Sequence, residues 1–285
     1  MAEPVAGGRA PADQGFALLI VLWWTVLLAL LGTQLATSGR LDAQRAGNLR
    51  SAAMARAAAD GALEETVFHL VDASPAGWSA DGAVRDLPVT GGVAHVEVRS
   101  EAAKVGLNQA SAGLLAALLT RLGTDASRSA ALADAILDWR TATIRPRKLG
   151  AKGPEYRAAG RDYAPPNSDF ETLDELRLVR GMTPDLVARL APYVSVYQLD
   201  DPDLTLADVI VRRASADSGD VAAGVVERAE SLRTEAPVVT ISISAEMADG
   251  ARAIRRTVVR LALDASRHPF QVLEQDYEHG ASNIK

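Results

Sequence analysis

The stretch FALLIVLWWTVLLALL, residues 16–31, decides how the rest of the chain is interpreted, because Thr25 is its only polar residue. No charged residue occurs between Asp13 and Arg40, so that residues 14–39 form an uncharged run. A helix rises about 1.5 Å per residue, so this run would be about 39 Å long, more than the ~30 Å hydrocarbon core of a bilayer. We therefore expect a transmembrane helix over about residues 16–38.

Two other interpretations of this run stay open. A helix buried in a protein core is one, although the run offers no polar face to water. A removable secretory signal is the other, because Ala36-Thr37-Ser38 before Gly39 imitates a small-residue cleavage site. The positive-inside rule taken alone would put the N-terminus outside, since four basic residues follow the run, at Arg40, Arg45, Arg50 and Arg56.

The helix is expected to continue beyond the apolar run. Residues 40–72 contain no proline. Small or apolar residues recur there at near-helical spacing, at Leu49, Ala53, Ala57, Leu63, Val67 and Leu70. This pattern predicts an amphipathic second half whose apolar stripe faces a globular domain. Ser74-Pro75 and Gly77 should end the helix, which would be about 85 Å long from Phe16 to Asp72.

The composition is that of an ordinary folded protein, with 285 residues, 48% apolar and 23% charged. A net charge of −6 disfavours a nucleic acid as partner. The absence of cysteine excludes disulfides, thiolate metal sites and a cysteine nucleophile. The four histidines are widely separated, and the common hydrolase, P-loop and dinucleotide motifs are missing. Helix caps and turns account for the carboxylate clusters near residues 169–175 and 200–203, so we expect no enzyme.

Alternating apolar and polar residues predict four strands. They lie at residues 93–99, 239–245 and 253–263, with a further one at 270–277 and a turn at Asp249-Gly250. These strands would form a small antiparallel sheet packed on the amphipathic half of the long helix. The region of residues 104–233 would then be an insertion between strands.

The insertion is expected to be helical. KVGLNQASAGLLAALLTRLG and TDASRSAALADAILDWR predict two helices, the first capped by Asn108 and closed by Gly123, the second capped by Asp125. TLDELRLVRGMTPDLVARLAPY predicts another pair joined by a hairpin, with Thr183 as a cap and Pro184 at the first helical position of the return helix. Both pairs have the pattern of helix-hairpin-helix units.

The N-terminus resembles a known family. A polar leader ending in Gln14-Gly15, followed by Phe16 and an apolar helix that becomes amphipathic, is similar to the class III signal of type IV pilins and pseudopilins. The resemblance implies that a prepilin peptidase cuts after Gly15 and methylates the new N-terminal Phe16. Most family members carry glutamate at the fifth mature position, where this chain has Ile20. Lack of that glutamate is typical of the K-type minor pseudopilin of type II secretion.

The strings LNQAS, AILDWR, EYR and ELRLVRGMTPDL also resemble K-type pseudopilins. The resemblance implies an α+β fold: a pilin-like long N-terminal helix packed on a small antiparallel sheet, with a large helical (helix-hairpin-helix / SAM-like) insertion. The expected domains are a leader (1–15), the N-terminal helix (16–72), the first part of the pilin-like domain (73–103), the helical insertion (104–233) and the returning strands (234–285).

Members of this family bind calcium in the helical insertion, through acidic residues around an Asp-Trp motif. Here Asp138-Trp139 is followed by Thr141 and Thr143, where the family tends to have further aspartates. We therefore assign no metal ligand, and expect no cofactor unless calcium binds. A basic cluster follows the motif and would be either a solvated loop or a surface for an acidic partner: Arg145, Arg147, Lys148, Lys152, Arg157 and Arg161.

The resemblance implies a non-catalytic minor pseudopilin at the tip of the type II secretion pseudopilus, assisting its initiation and protein export. Its partners would be other minor pseudopilins, the prepilin peptidase and the inner-membrane assembly platform. It would be a single-pass inner-membrane protein with most of its mass in the periplasm. Two rival functions are a membrane-tethered helix-hairpin-helix DNA-binding protein and a secreted helical enzyme released after Ser38.

Overall fold

The computed structural model describes residues 13–219, 236–262 and 269–278. Its helices and strands combine into an α+β fold, in which a long N-terminal helix packs on an antiparallel sheet. A helical region with its own core is inserted in the sequence between two strands that are neighbours in that sheet. The fold class predicted from the sequence is confirmed.

The long helix α1 spans Asp13–Val71, 59 residues, and is therefore about 88 Å long. The side chains that its second half buries against the sheet lie on one face of the helix, which recurs every three or four residues: Ala55, Ala59, the pair Ala62 and Leu63, and the pair Thr66 and Val67. After Val71 the Asp72 carboxylate accepts hydrogen bonds from the amide and hydroxyl of Ser74, which turns the chain at Pro75. By length and mean hydropathy together, no helix within the described ranges qualifies as a membrane span.

The sheet has five strands in the order β1-β2-β5-β6-β7, all pairs antiparallel: β1 Asp81–Val89, β2 Gly92–Ser100, β5 Val238–Met247, β6 Arg252–Leu261 and β7 Phe270–Glu278. The predicted strands β2, β5, β6 and β7 are confirmed. Leu263, placed in a strand from the sequence, lies outside the described residues. The inward residues of β2 and β5, such as Val96 and Ile243, are buried beneath α1.

The edge strand β1 is a feature that sequence reasoning missed. Its residues DGAVRDLPV do not alternate cleanly, and Leu87 is the one buried side chain among them. Pro88 cannot donate a backbone hydrogen bond, which is tolerated at a sheet edge. An edge strand that covers little core therefore carries little hydrophobic pattern in its sequence.

The helical region between β2 and β5 contains α2 Ala112–Arg121, α3 Ala126–Arg140, α4 Gly153–Ala158, a 3-10 helix Leu173–Leu178, α5 Pro184–Leu190 and α6 Val209–Ser218. Two short parallel strands, β3 Val105–Gly106 and β4 Val194–Ser195, join its start to its later part. Its apolar residues form a core of their own, distinct from the one beneath the sheet.

The ends of α2, α3 and α5 test several predictions. Asp125 caps α3 by accepting from the amide of Arg128, and Thr183 caps α5 with Pro184 at its first position, as predicted. Gly123 closes α2 with a φ of +90°, also as predicted. The prediction that Asn108 caps α2 is wrong, because Ser111 occupies that position and accepts from the amide of Leu114.

The segment before the second hairpin also differs from expectation. Leu173–Leu178 forms a 3-10 helix and not an α-helix. The Glu175 carboxylate reaches back to the amides of Glu171 and Thr172, which leaves a short, tight turn. Leu176 is nevertheless buried, as its apolar spacing predicts.

A buried polar contact joins the sheet to the helical region. The Glu101 carboxylate, just after β2, accepts from the ammonium of Lys104 and from the hydroxyl of Thr240 on β5. At the other side, the Tyr197 hydroxyl donates to Glu274 on β7 at 3.0 Å. Because β2 and β5 are direct neighbours, both ends of the helical region return to one place in the sheet.

Candidate functional site

The first half of α1 exposes large apolar side chains. Those from Phe16 to Leu31 are exposed almost throughout, with Trp23 at 74%. An exposed apolar surface of this extent marks a contact with a membrane or with another protein.

The predicted processing site lies at the start of this helix. Gly15 and Phe16 fall in the first turn of α1, which begins at Asp13, and the Phe16 side chain is exposed. The rest of the predicted leader, residues 1–12, lies outside the described residues. Cleavage after Gly15 and methylation of Phe16 stay predictions.

The Asp-Trp motif lies at the end of α3 and is fully enclosed. The Asp138 carboxylate accepts from the backbone amide of Arg147, at 3.0 Å to Oδ2. Burial raises the pKa of Asp138, while the hydrogen bond from the Arg147 amide and the nearby Lys152 ammonium oppose that rise. Trp139 donates from Nε1 to Glu175 at 3.1 Å and stacks on Phe170 with ring centroids 6.0 Å apart. Both side chains of the motif therefore hold neighbouring segments against α3.

Next to this motif lies a buried lysine. The side chain of Lys152 is 3% exposed. Its ammonium donates to the backbone oxygen of Asp138, to that of Thr141 at 2.6 Å and to Oδ1 of Asn167 at 2.7 Å. Burial lowers the pKa of Lys152, and the Asp138 carboxylate acts in the opposite direction. The ammonium thus lies in a cage of three oxygens from two segments of the chain, the end of α3 and the region of Asn167.

The residues around Asp138 do not fit a calcium ion. Calcium takes six to eight oxygen ligands, usually including several carboxylates. Across the described ranges no three His, Cys, Asp or Glu side chains come together in a way that could hold a metal. The oxygens that do converge, from Asp138, Thr141 and Asn167, already surround the Lys152 ammonium. The Thr141 hydroxyl is turned away and donates to Leu137.

The hairpin before α5 uses its backbone amides within the chain. The amide of Arg180 donates to the Tyr156 hydroxyl at 2.8 Å, and that of Met182 donates to the Val179 oxygen. Burial raises the pKa of Tyr156 to about 12, so that its hydroxyl stays protonated. Gly181 adopts a φ of +88° and packs against Leu132 of α3. These two amides are therefore not free to bind a phosphate, which gives no support to the DNA-binding alternative.

The structure divides the basic cluster. Lys152 is buried, and Arg147 pairs with Asp134 at 2.9 Å. The other four side chains are exposed: Arg145, Lys148, Arg157 and Arg161. The cluster is therefore part structural scaffold and part solvated surface.

Two polar anchors were missed by sequence reasoning. Arg140, the last residue of α3, donates to the backbone oxygens of Leu107 and Ala110, the latter at 2.6 Å. Burial lowers the pKa of Arg140. Asn108 pairs with the backbone of Phe170 in both directions, at 3.0 and 2.8 Å. Both contacts join segments at least 30 residues apart, so that no local sequence pattern predicts them.

The sequence of the chain is similar to that of known secretion system proteins. Residues 94–199 match the family model of type II secretion system protein K. Type II secretion system protein K of Aeromonas hydrophila is 27% identical over 214 residues, 65% of this chain and 64% of the relative. The protein K of Pectobacterium carotovorum subsp. carotovorum is 35% identical over a match that covers 29% of this chain and 25% of that protein. The protein K of Klebsiella pneumoniae is 36% identical over a match that covers 27% of this chain and 24% of that protein. The chain spans less than two thirds of the length of these relatives.

A solved structure has a similar fold. A chain of the GspK-GspI-GspJ complex of the enterotoxigenic Escherichia coli type 2 secretion system aligns with a TM-score of 0.52 at 18% identity. The alignment covers 84% of this chain and 98% of that chain. The family model and the relatives confirm the resemblance to K-type minor pseudopilins for the part of the chain that they match. The solved structure confirms the fold.

Proposed function

Because residues 94–199 match the protein K family, we propose that the chain acts at the tip of the type II secretion pseudopilus, where it assists pseudopilus initiation and protein export across the outer membrane. The observation that carries this proposal is the helical region between β2 and β5. That region has its own core, and the chain enters and leaves it at two neighbouring strands of a pilin-like sheet. A helical region of this size would leave no room for a further subunit on top.

The anchoring part of the proposal concerns the first half of α1. Residues 16–38 would lie in the inner membrane as a single pass, with the globular part in the periplasm. The support is the uncharged run of residues 14–39 and the exposure of most large apolar side chains between Phe16 and Leu31. At the fifth mature position this chain has the uncharged Ile20. A charged residue within the membrane costs several kcal/mol, and a subunit with no further subunit above it would not need one.

The assembly part of the proposal concerns the second half of α1. Beside the face that covers the sheet, this helix exposes Leu49, Met54 and Phe68. Such side chains would pack side by side against the helices of companion minor pseudopilins. The structural relative is a chain of a complex with GspI and GspJ, which supports partners of this kind. The inner-membrane assembly platform would incorporate the assembled helices.

Processing would precede assembly. A prepilin peptidase would cut between Gly15 and Phe16 and methylate the new amino group. The chain itself would catalyse no reaction and bind no nucleic acid. The relatives bear the names of secretion system components, which agrees with a structural role.

The proposal is tested by Gly15→Ala in cells that contain the peptidase. We expect the wild-type chain to begin at a methylated Phe16 by mass spectrometry, and the variant to keep its leader. Gly32→Ala is the matched control, because a Cβ at Gly32 meets no atom within 4 Å, and it should be processed normally. A mature chain that starts at Gly39, or a processed Gly15→Ala chain, would overturn the assignment of the cleavage site.

The tip function needs a second measurement. A host lacking its protein K gene should regain export of its secreted proteins with the wild-type chain and not with Gly15→Ala. A variant lacking the apolar segment should also fail to restore export. Full export without residues 16–38 would contradict membrane-anchored assembly.

A further inference from the structure

The ammonium of Lys152 is saturated by the protein. An ammonium has three N–H donors and no acceptor. All three find oxygens, on Asp138 at the last turn of α3, on Thr141 just after it, and on Asn167 in the loop that precedes the 3-10 helix. One cation therefore joins the end of α3 to both ends of the connection of residues 141–167, a loop that includes the short helix α4.

The cage is built around a positive charge. Two backbone oxygens and an amide oxygen point at the ammonium, and the Asp138 carboxylate contributes a negative charge nearby. Carbonyl and carboxylate oxygens are the groups that hard cations such as calcium take as ligands. The surroundings of Lys152 thus have the chemistry of a cation site, and the chain supplies the cation.

The backbone is shaped to complete the site. Asn167 has a φ of 60°, the one positive φ among the non-glycine residues described. Its backbone amide donates to the backbone oxygen of Trp139 at 3.1 Å. The backbone amide of Lys152 donates to Glu155 at 2.9 Å, which fixes the start of α4. The lysine is therefore held at its backbone as well as at its charged end.

We propose that Lys152 is a built-in cation that fixes the loop of residues 141–167 on α3, so that the helical region keeps its shape without a bound divalent metal. This proposal stands on the contacts of Lys152 and does not require the secretion function. It accounts for a domain that contains an Asp-Trp motif while the acidic side chains that could hold a metal do not converge in the described residues.

The first test compares two lysines of the same loop by their reactivity. The full chain, purified in detergent, is pulse-labelled with acetic anhydride and analysed by mass spectrometry. Lys148 is exposed and should be acetylated readily, whereas Lys152 should be protected at least about tenfold until the chain is denatured. Equal labelling of Lys148 and Lys152 in the folded chain would overturn the proposal.

The second test asks whether a metal or the lysine holds the loop. The melting temperature of the wild-type chain should be the same in EDTA and in excess calcium chloride. Lys152→Met should lower it by about 5–10 °C, because three oxygens lose their donor, and Lys148→Met should leave it unchanged. A wild-type chain that loses stability in EDTA and regains it with calcium would overturn the proposal. Equal melting of Lys152→Met and wild type would do so as well.

The labelling experiment also covers the case in which Lys152→Met does not fold, because it uses the wild-type chain alone. Repeating the labelling in EDTA adds a direct readout of the site. Protection of Lys152 that is unchanged by EDTA supports a cation supplied by the chain, whereas protection that is lost with EDTA shows that a metal holds the loop.

Discussion

Arg255 of β6 is paired with Asp60 of α1, and this pair ties the long helix to the sheet. The guanidinium donates from Nη1 to the carboxylate, from Nε to the Thr257 hydroxyl at 3.0 Å and from Nη2 to Gln275 at 3.0 Å. The Tyr277 hydroxyl donates to the same oxygen of Asp60 at 2.6 Å. Arg255 is buried, whereas the side chain of Asp60 is half exposed.

Asp60→Asn should therefore destabilise the packing of α1 on the sheet. The substitution leaves a buried guanidinium without its counter-charge, and we expect a loss of about 2 kcal/mol in the free energy of unfolding. Asp42→Asn is the control, because Asp42 pairs with Arg45 where both side chains are more than 70% exposed. It should change stability by less than about 0.5 kcal/mol. Urea unfolding of both variants measures the difference, and equal effects would argue against a structural role of the Asp60 pair.

Gly150 should tolerate no side chain. A Cβ at this position would lie 1.9 Å from Oδ2 of Asp138 and 3.2 Å from the backbone oxygen of Asp134. Asp138 cannot move away, because it is fully buried and held by the Arg147 amide. Gly150→Ala should cost about 2–4 kcal/mol of stability.

Gly61→Ala provides the contrast within α1. Apart from the adjacent backbone of α1 itself, no atom lies within 4 Å of a Cβ at Gly61, and alanine is favoured over glycine in a helix by about 1 kcal/mol. Thermal unfolding should show a lower melting temperature for Gly150→Ala and an equal or higher one for Gly61→Ala. A Gly150→Ala chain as stable as wild type would show that the carboxylate is not fixed.

The features that the sequence predicts well depend on short-range patterns. The second half of α1 repeats small apolar residues every three or four positions, and strands β2 and β5 alternate apolar with polar residues. Both periods can therefore be recognised in the sequence. The caps Asp125 and Thr183 act on amides three residues away. Strand β1 was not predicted, because an edge strand buries few side chains and so needs no strict alternation of apolar and polar residues.

The contacts of the candidate site lie beyond such patterns. Lys152 looked like one more basic residue in a charged loop, yet its partners are 11 to 15 residues away and it is buried. Asn108 looked like a cap, yet its partner Phe170 is 62 residues away. A side chain that bonds a distant backbone carries no local signal, so that the fold of the loop must be known first.

Acid should weaken the start of β1 through Asp81. Hydrogen bonds from the Arg85 side chain and the Ala83 amide lower the pKa of Asp81 to about 2, from an ordinary value of 3.8. A folded-state pKa below the unfolded one contributes stability above pH ~4, and that contribution is lost as the pH falls from about 4 to 2. Because Asp81 is exposed, the contribution should be below about 1 kcal/mol.

Asp81→Asn removes this acid-sensitive contribution. The difference in the free energy of unfolding between wild type and Asp81→Asn should be largest above pH ~4 and should approach zero near pH 2. Urea unfolding at several pH values measures it. A difference that stays constant over this range would show that Asp81 titrates alike in the folded and unfolded chains.

Asn108 and Ser111 lie three residues apart and should have separable roles. Ser111 accepts from the Leu114 amide at 3.0 Å, whereas Asn108 accepts from the Phe170 amide at 2.8 Å. Ser111→Ala should cost about 1 kcal/mol, the usual value of an N-cap, and should speed hydrogen exchange at Leu114. Asn108→Ala should cost about 2 kcal/mol, because two backbone groups lose their partner, and should speed exchange at Phe170 while Leu114 stays protected. Faster hydrogen exchange of the Leu114 amide in Asn108→Ala would show that Asn108 acts as a helix cap after all.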